Sequence, residues 1–168
     1  MVILGIVGLC MRGRRRRRVE IYRFDMKNTQ RIPNIPHLNQ YKIVAGMATI
    51  PSRSKKLHKV INSIIDQIDH LYVHLNYNSN DKIPQVLLNS KITMTHSNDT
   101  GDLGDTGKFF EILKHMKTAY TITLDDDIIY PENYVTNLVS NSNKYNNRAI
   151  ITYHGGILPK YVKSYTDE

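Results

Sequence analysis

The sequence is poor in the residues that build disulfides and metal-thiolate sites. It has one cysteine, Cys10, and no tryptophan among 168 residues. A single cysteine excludes an internal disulfide and any zinc site that needs several cysteines, so the composition demands no oxidising compartment.

Long hydrophobic runs are also absent. The apolar run at the N-terminus, residues 1–11, is well short of the roughly 20 residues that a membrane-spanning helix needs. Arginines follow this run, whereas a secretory signal carries its positive charge before the apolar segment. The sequence therefore predicts neither a signal peptide nor a spanning helix, and we expect a cytoplasmic protein.

The positive charge is concentrated at one end of the chain. The net charge is +8, and residues 1–18 hold six arginines, Arg12 and Arg14 to Arg18, with no acidic residue. Removing those six leaves +2 for the remainder, which lacks the basic footprint of a nucleic-acid-binding domain. We expect residues 1–40 to be a disordered tail and linker. Two interpretations of Arg12–Arg18 stay open: weak contact with an anionic membrane surface, or a solvated segment without a partner.

Residues 41–168 alternate between strand and helix patterns. Strands are predicted at 42–49, 70–76, 91–96, 119–124 and 148–153. An apolar stripe predicts a helix at 54–68, and 83–88 predicts a short helix or turn. Two further helices are predicted, one with Phe109, Ile112, Leu113 and Met116 facing inward and one with Tyr134, Val135, Leu138 and Val139 buried. This order favours an α/β domain with an open, mostly parallel sheet and helices on both faces.

Three consecutive carboxylates follow the strand at 119–124. Asp125, Asp126 and Asp127 would repel one another at a strand end unless a cation lies between them. Mg²⁺ and Mn²⁺ take oxygen ligands, and Mg²⁺ is often held by one or two carboxylates together with substrate phosphates. Helix capping is a weaker explanation, because Ile128 to Pro131 separate the triplet from the next helix. The triplet therefore predicts a metal site at the end of a strand.

A glycine-rich loop lies between the third and fourth predicted strands of the domain. It runs G-D-L-G-D-T-G-K from Gly101 to Lys108, here called the glycine loop. A P-loop needs four residues between its glycines and Ser or Thr after the lysine. Five residues separate Gly101 from Gly107, and Phe109 follows Lys108, so the pattern excludes a P-loop ATPase. What remains is a loop in which Asp102 accepts hydrogen bonds and Lys108 reaches a phosphate.

These motifs together resemble a known family. The strand exit A-T-I-P-S-R, the glycine loop and the segment T-L-D-D-D-I-I-Y-P are similar to nucleotide-sugar-dependent glycosyltransferases of the GT-A fold, in particular family 2-like bacterial and viral enzymes. The resemblance covers about residues 42–156. It implies a Rossmann-like nucleotide-binding domain, a UDP-, GDP- or dTDP-sugar donor, a glycan or lipid-linked acceptor, and Mn²⁺ or Mg²⁺.

The resemblance also implies roles for individual residues. Those expected to bind the donor nucleotide are Thr49, Pro51, Arg53, Asn76, Asp102, Lys108, Asp125 and Asp126. Among them, the resemblance implies that Arg53 lies near the diphosphate and that Lys108 contacts the donor phosphates. Those expected to bind the metal are Asp127, Asp125 and His154. The family's catalytic base lies in an acidic motif beyond the fifth strand, and residues 157–168 carry no such motif, so no base is assigned.

Two other functions stay open from the sequence. One is a nucleotide-binding fragment that lacks the acceptor and base region. The other is a metal-dependent phosphohydrolase, which also places aspartates at the carboxyl end of a parallel strand. That class carries a nucleophilic aspartate after its first strand, where this chain has A-T-I-P-S-R.

Overall fold

The computed structural model describes residues 2–3 and 41–153 of the chain. Four parallel strands form the body of the sheet: β2 (Lys42–Thr49), β3 (His70–Leu75), β4 (Ile92–His96) and β5 (Ala119–Leu124). A two-residue strand, β1 (Val2–Ile3), pairs in parallel with the outer edge of β5. The helices are α1 (Ser54–Ile64), the single-turn α2 (Ser97–Thr100) and α3 (Tyr134–Lys144). The expected α/β class with a parallel sheet is confirmed.

The strand order is β1-β5-β2-β3-β4. The chain moves outward from β2 through β3 to β4 and then returns to place β5 on the other side of β2. The direction of winding therefore reverses between β2 and β5. In open α/β sheets, ligands bind beyond the carboxyl ends of the strands at such a reversal point.

One face of the sheet carries the hydrophobic core, and we call it the core face. Side chains alternate between faces along a strand, and Ala45, Met47 and Val73 are among those that point to this face and are essentially inaccessible to solvent. Helix α1 packs here because its apolar residues recur at helical spacing. Its buried residues are Leu57, Val60, Ile61 and Ile64. Helix α3 contributes Val135, Leu138 and Val139 to the same cluster.

The opposite face is polar, and we call it the polar face. In the parallel register, Gly46 lies between Tyr72 and Thr123, and His74 lies beside Thr95. Two 3₁₀ segments cover this face, Gly104–Phe109 and Ile112–His115. The Tyr72 ring stacks on His115 with 5.2 Å between ring centroids.

Three details differ from the sequence predictions. Residues 148–153 form no strand. Ile151 and Tyr153 instead pack against the core, and the Tyr153 ring stacks on Tyr134 at 4.8 Å. In place of the helix predicted after Lys108, the chain ends one 3₁₀ segment at Phe109 and forms a second at Ile112–His115. Ile112 is buried as expected, while Leu113 is 53% exposed. Helix α1 ends at Ile64 and continues as a 3₁₀ turn, Ile65–Gln67.

Two predictions fall on residues that are not described. Arg12 to Arg18, with the rest of the segment 4–40, lie outside the described ranges, and so does His154. Within the described ranges, no helix is long and apolar enough to cross a bilayer.

Candidate nucleotide and metal site

Strand β2 and the turn that follows it supply the first part of the site. Thr49 is the last residue of β2 and is 1% exposed. Pro51 then begins a 3₁₀ turn, Pro51–Arg53, because its fixed φ suits the first turn of a helix. This turn brings Arg53 over the reversal point between β2 and β5, while Pro51 itself stays exposed at the rim.

Arg53 forms an ion pair with Asp127 across the reversal point. Arg53 Nη1 donates to Asp127 Oδ2 at 2.5 Å, and both side chains are 43% exposed. The hydrogen bond and the charge of Asp127 raise the pKa of the arginine. Two of the sequence-predicted ligands, 74 residues apart in the chain, are therefore direct neighbours in space.

Lys108 forms a second set of ion pairs. Lys108 Nζ lies 2.8 Å from Asp125 Oδ1 and 2.8 Å from Asp105 Oδ2, and the lysine side chain is only 6% exposed. Burial alone would lower the pKa of Lys108, but its hydrogen bonds to the two carboxylates outweigh that effect and raise the pKa. The ammonium is therefore charged, and Asp125 has a fixed partner. We call Arg53, Lys108, Asp125 and Asp127 the charge cluster.

Asp126 occupies a less polar position than its two neighbours. Burial raises the pKa of Asp126 above its ordinary value, and the nearby Thr49 hydroxyl and Arg53 pull it down again only in part. Thr49 Oγ1 is itself buried and forms no hydrogen bond of ordinary geometry among the described residues, although its hydroxyl lies near enough to stabilise the charged form of Asp126. A buried hydroxyl that is not fully hydrogen-bonded is costly in a folded protein, and one beside a carboxylate at a reversal point is available to a ligand.

Asn76, which follows β3, and Asp102, in the glycine loop, form hydrogen bonds within that loop rather than with the charge cluster. Asn76 Nδ2 donates to the Gly104 carbonyl at 2.9 Å. Asp102 Oδ1 accepts from the Gly104 backbone N–H at 2.8 Å, within its own loop. The structure thus brings Asn76 and Asp102 together around Gly104, and no direct contact joins the Asp102 carboxylate to the three strand-end aspartates.

His74 supports the glycine loop from beneath. Its ring is 1% exposed, and His74 Nδ1 shares a hydrogen bond of 3.0 Å with the Thr95 hydroxyl. A Cβ on Gly107 would lie 2.3 Å from His74 Cδ2, so the loop backbone rests directly on the ring. Burial lowers the pKa of His74, which keeps the ring neutral beneath a loop that already carries a buried ammonium.

Tyr130 is a site residue that sequence reasoning missed. Its side chain is buried, and its hydroxyl accepts from the Asp125 backbone N–H at 2.7 Å and donates to the Asp125 carbonyl at 3.2 Å. Burial raises its pKa, so the phenol stays neutral. The motif D-D-D-I-I-Y-P contained the signal, because a tyrosine six residues beyond the end of a strand can fold back onto that end.

The donor set fits a hard divalent cation in part. Among the described residues, no group of three or more His, Cys, Asp or Glu side chains converges to form a metal site. The two ion pairs engage one oxygen each of Asp125 and Asp127, and both carboxylates are more than 40% exposed. Two carboxylates with open coordination suit Mg²⁺ or Mn²⁺ that completes its shell with phosphate and water oxygens.

A separate cavity of about 160 Å³ lies at the opposite edge of the sheet. It is lined by Tyr41, Lys117, Ala119, Tyr120 and Asn147 at the amino ends of β2 and β5. The charge cluster, at the carboxyl ends of the strands, carries the convergent ionisable groups and is the stronger candidate.

Neither the protein-family models nor the curated protein sequences compared with this chain gave a match.

Proposed function

We propose that the protein is a glycosyltransferase that uses a nucleoside-diphosphate sugar and a divalent metal, Mn²⁺ or Mg²⁺. The observation that carries the proposal is the charge cluster at the reversal point between β2 and β5. There, two carboxylates and two cations converge from three separate stretches of the chain. A diphosphate and a hard cation need that combination of charges.

The chemistry assigns a task to each part of the site. In glycosyl transfer the bond between the anomeric carbon and the diphosphate oxygen breaks, and the acceptor oxygen forms the new bond as its proton passes to a base. The departing diphosphate gains negative charge, and positive groups placed in advance lower the barrier. Arg53 supplies such a charge, and Asp125 and Asp127 are the residues that would hold the metal. The metal, when bound, supplies further charge neutralisation at the diphosphate. No described residue is assigned as the base.

The buried Thr49 hydroxyl and Asp126 form a second polar pair beside the charge cluster. Thr49 Oγ1 forms no hydrogen bond of ordinary geometry among the described residues, and burial disfavours the charged form of Asp126, its neighbour. Hydroxyl groups of a ribose or of a sugar both donate and accept hydrogen bonds, so they suit this pair better than a second phosphate does. We assign this position to hydroxyl groups of the donor.

A phosphohydrolase has less support from the site. That chemistry needs a carboxylate nucleophile, and β2 ends in Thr49, Ile50 and Pro51. Both aspartates of the charge cluster belong to a single stretch after β5 and are paired with cations. An ion-paired carboxylate is a weaker nucleophile than a free one, because its charge is already stabilised.

Calorimetric titration tests the proposal. UDP, GDP and dTDP are added to the wild-type protein with Mn²⁺ and, separately, with EDTA, and Mn²⁺-dependent binding of one of them is expected. Asp127→Ala should abolish the Mn²⁺-dependent part of the affinity. Asp66→Ala, an exposed aspartate on the turn after α1, is the matched control and should leave it unchanged. A folded wild-type protein that binds none of the three nucleotides would contradict the proposal.

A further inference from the structure

The two cations of the charge cluster differ in exposure. The Arg53 side chain is 43% exposed and pairs with one carboxylate, Asp127, which is exposed to the same extent. The Lys108 side chain is 6% exposed and contacts two carboxylates, Asp105 and Asp125. An exposed ion pair contributes little to stability and is screened by salt, whereas removing one partner of a buried pair leaves an uncompensated charge. Arg53 can therefore leave its carboxylate at small cost, and Lys108 cannot.

The backbone around Lys108 is held as tightly as its side chain. A Cβ on Gly46 would lie 2.0 Å from the Lys108 carbonyl oxygen, and a Cβ on Gly107 would meet the His74 ring. The 107–108 backbone therefore lies in direct contact with β2 on one side and β3 on the other. Only the absence of side chains at these two glycines allows this approach. From that position the lysine spans the polar face to reach Asp125 at the end of β5.

Asp125 is fixed at three atoms, and Asp127 is held by one described ion pair. The Tyr130 hydroxyl bonds both the backbone N–H and the carbonyl of Asp125, while Lys108 holds its side chain. Asp127 pairs with Arg53 across the surface. The Asp125 carboxylate is therefore held in a single orientation, whereas the Asp127 carboxylate can exchange its ion-pair partner more easily.

We propose that Lys108 is a positioning residue that orients Asp125, and that Arg53 is the cation that leaves Asp127 to bind the diphosphate of the donor. This inference rests on the proposed function and divides its two cations between different tasks. It also changes the expectation from the sequence, in which both cations bind phosphate. When Arg53 moves to the diphosphate, Asp127 becomes free for the metal at the same step, so donor and metal binding assist each other.

Two double-mutant cycles in EDTA distinguish the roles, because any phosphate contact made by a side chain persists without metal. The probe is whichever of UDP, GDP or dTDP the wild-type protein binds, and if that binding is measurable only with Mn²⁺, both cycles are run at one fixed Mn²⁺ concentration with the same expected outcomes. The first cycle combines Lys108→Met with Asp125→Asn. A residue that acts only through Asp125 has no further effect once that carboxylate is neutral, so adding Lys108→Met should change the affinity less than about twofold.

The second cycle combines Arg53→Met with Asp127→Asn. A direct contact between the guanidinium and the diphosphate does not depend on Asp127, so adding Arg53→Met to Asp127→Asn should weaken binding about tenfold. Lys117→Met, at the opposite edge of the sheet, is the charge-matched control and should leave the affinity within about twofold of wild type.

Each alternative outcome has a definite meaning. A tenfold loss from Lys108→Met in the Asp125→Asn protein would show that the lysine contacts phosphate and would overturn the proposal. So would an unchanged affinity on adding Arg53→Met to Asp127→Asn. If Lys108→Met alone fails to fold, the double variant still tests the proposal, because it removes both charges of the pair. A wild-type protein that binds no nucleotide, with Mn²⁺ or with EDTA, would instead refute the glycosyltransferase proposal and this inference with it.

Discussion

The core face and the polar face of the sheet differ in the elements that cover them and in the side chains that these elements contact. The core face is covered by α1 and α3, two regular helices of 11 residues each that bury aliphatic side chains. The polar face is covered by 3₁₀ segments that lie on glycine, histidine and threonine. Regular helices on aliphatic side chains supply hydrophobic stabilisation, whereas close backbone approach on small and polar residues places individual side chains. The comparison predicts that substitutions on the core face change stability and that substitutions on the polar face change binding as well.

The largest effect on stability is expected for Leu57→Ala. Leu57 lies on α1 and is completely buried against the core face, so the substitution should lower the free energy of unfolding by about 2–5 kcal/mol. Chemical denaturation measures the loss, and Lys56→Ala, its exposed neighbour, is the control. Nucleotide affinity measured well below the melting temperature should stay at the wild-type value. A large drop in that affinity would break the distinction between the two faces.

Gly46→Ala is the corresponding change on the polar face. The new methyl group would lie 2.0 Å from the Lys108 carbonyl oxygen and 3.0 Å from Ile112 Cγ2. Overpacking of this kind costs about 1–3 kcal/mol, and the shift of Lys108 should also weaken nucleotide binding. Denaturation and titration on the same sample measure both effects. Gly104→Ala, where a Cβ meets nothing within 4 Å but φ is +53°, gives the cost of backbone strain without the clash. Equal binding losses in both variants would argue against the clash as the cause.

Tyr130→Phe should have a smaller effect. It removes the hydroxyl that accepts from the Asp125 backbone N–H, and loss of one such hydrogen bond costs about 0.5–1.5 kcal/mol. The Mn²⁺-dependent part of the nucleotide affinity should also decrease, because Asp125 loses one of its supports. Tyr145→Phe, on an exposed ring at the end of α3, is the control. An unchanged Mn²⁺ dependence would mean that Lys108 alone suffices to hold Asp125.

Asp126→Asn tests the half-buried carboxylate through the pH dependence of stability. The pKa of Asp126 is raised in the folded protein, so the folded state binds a proton more readily than the unfolded state. The wild-type protein therefore loses stability from this group as pH rises from the ordinary carboxyl value of 3.8 through the raised pKa. The variant should melt at a higher temperature at pH 7, and its advantage should vanish near pH 3.8 and below. Asp66→Asn, at an exposed aspartate on the turn after α1, is the control for the substitution itself. An advantage of Asp126→Asn that persists at low pH would exclude burial as its cause.

The sequence predicted the core face well, because periodicity reports burial directly. The apolar stripe of α1, the strands β2 to β5 and the buried residues of α3 all follow from spacing alone. It predicted the polar face poorly. Helical spacing is present in Phe109, Ile112, Leu113 and Met116. The backbone nevertheless lies so close to the sheet at Gly46 and Gly107 that 3₁₀ turns form there instead of an α-helix.

The sequence predicted which residues belong to the candidate site, but not which of them form ion pairs with one another. Arg53 and Lys108 were both expected near phosphate, and the sequence contained nothing that would separate an exposed arginine from a buried lysine. That distinction depends on the path of the glycine loop across β2 and β3. The strand predicted at 148–153 was wrong for a related reason, since Ile151 and Tyr153 have strand-like character but pack on α3 and the core instead.

The reversal of strand order between β2 and β5 also sets the time at which the site can form. Arg53 and Asp127 are 74 residues apart in the sequence, and β5 is the last of the described sheet strands to leave the ribosome. Strands β2 to β4 with α1 can therefore assemble a partial core before any charge cluster exists. Long-range parallel pairing of this kind is intrinsically slow. Nucleotide binding would consequently report completion of the sheet, whereas the helix signal of α1 alone would report only its first half.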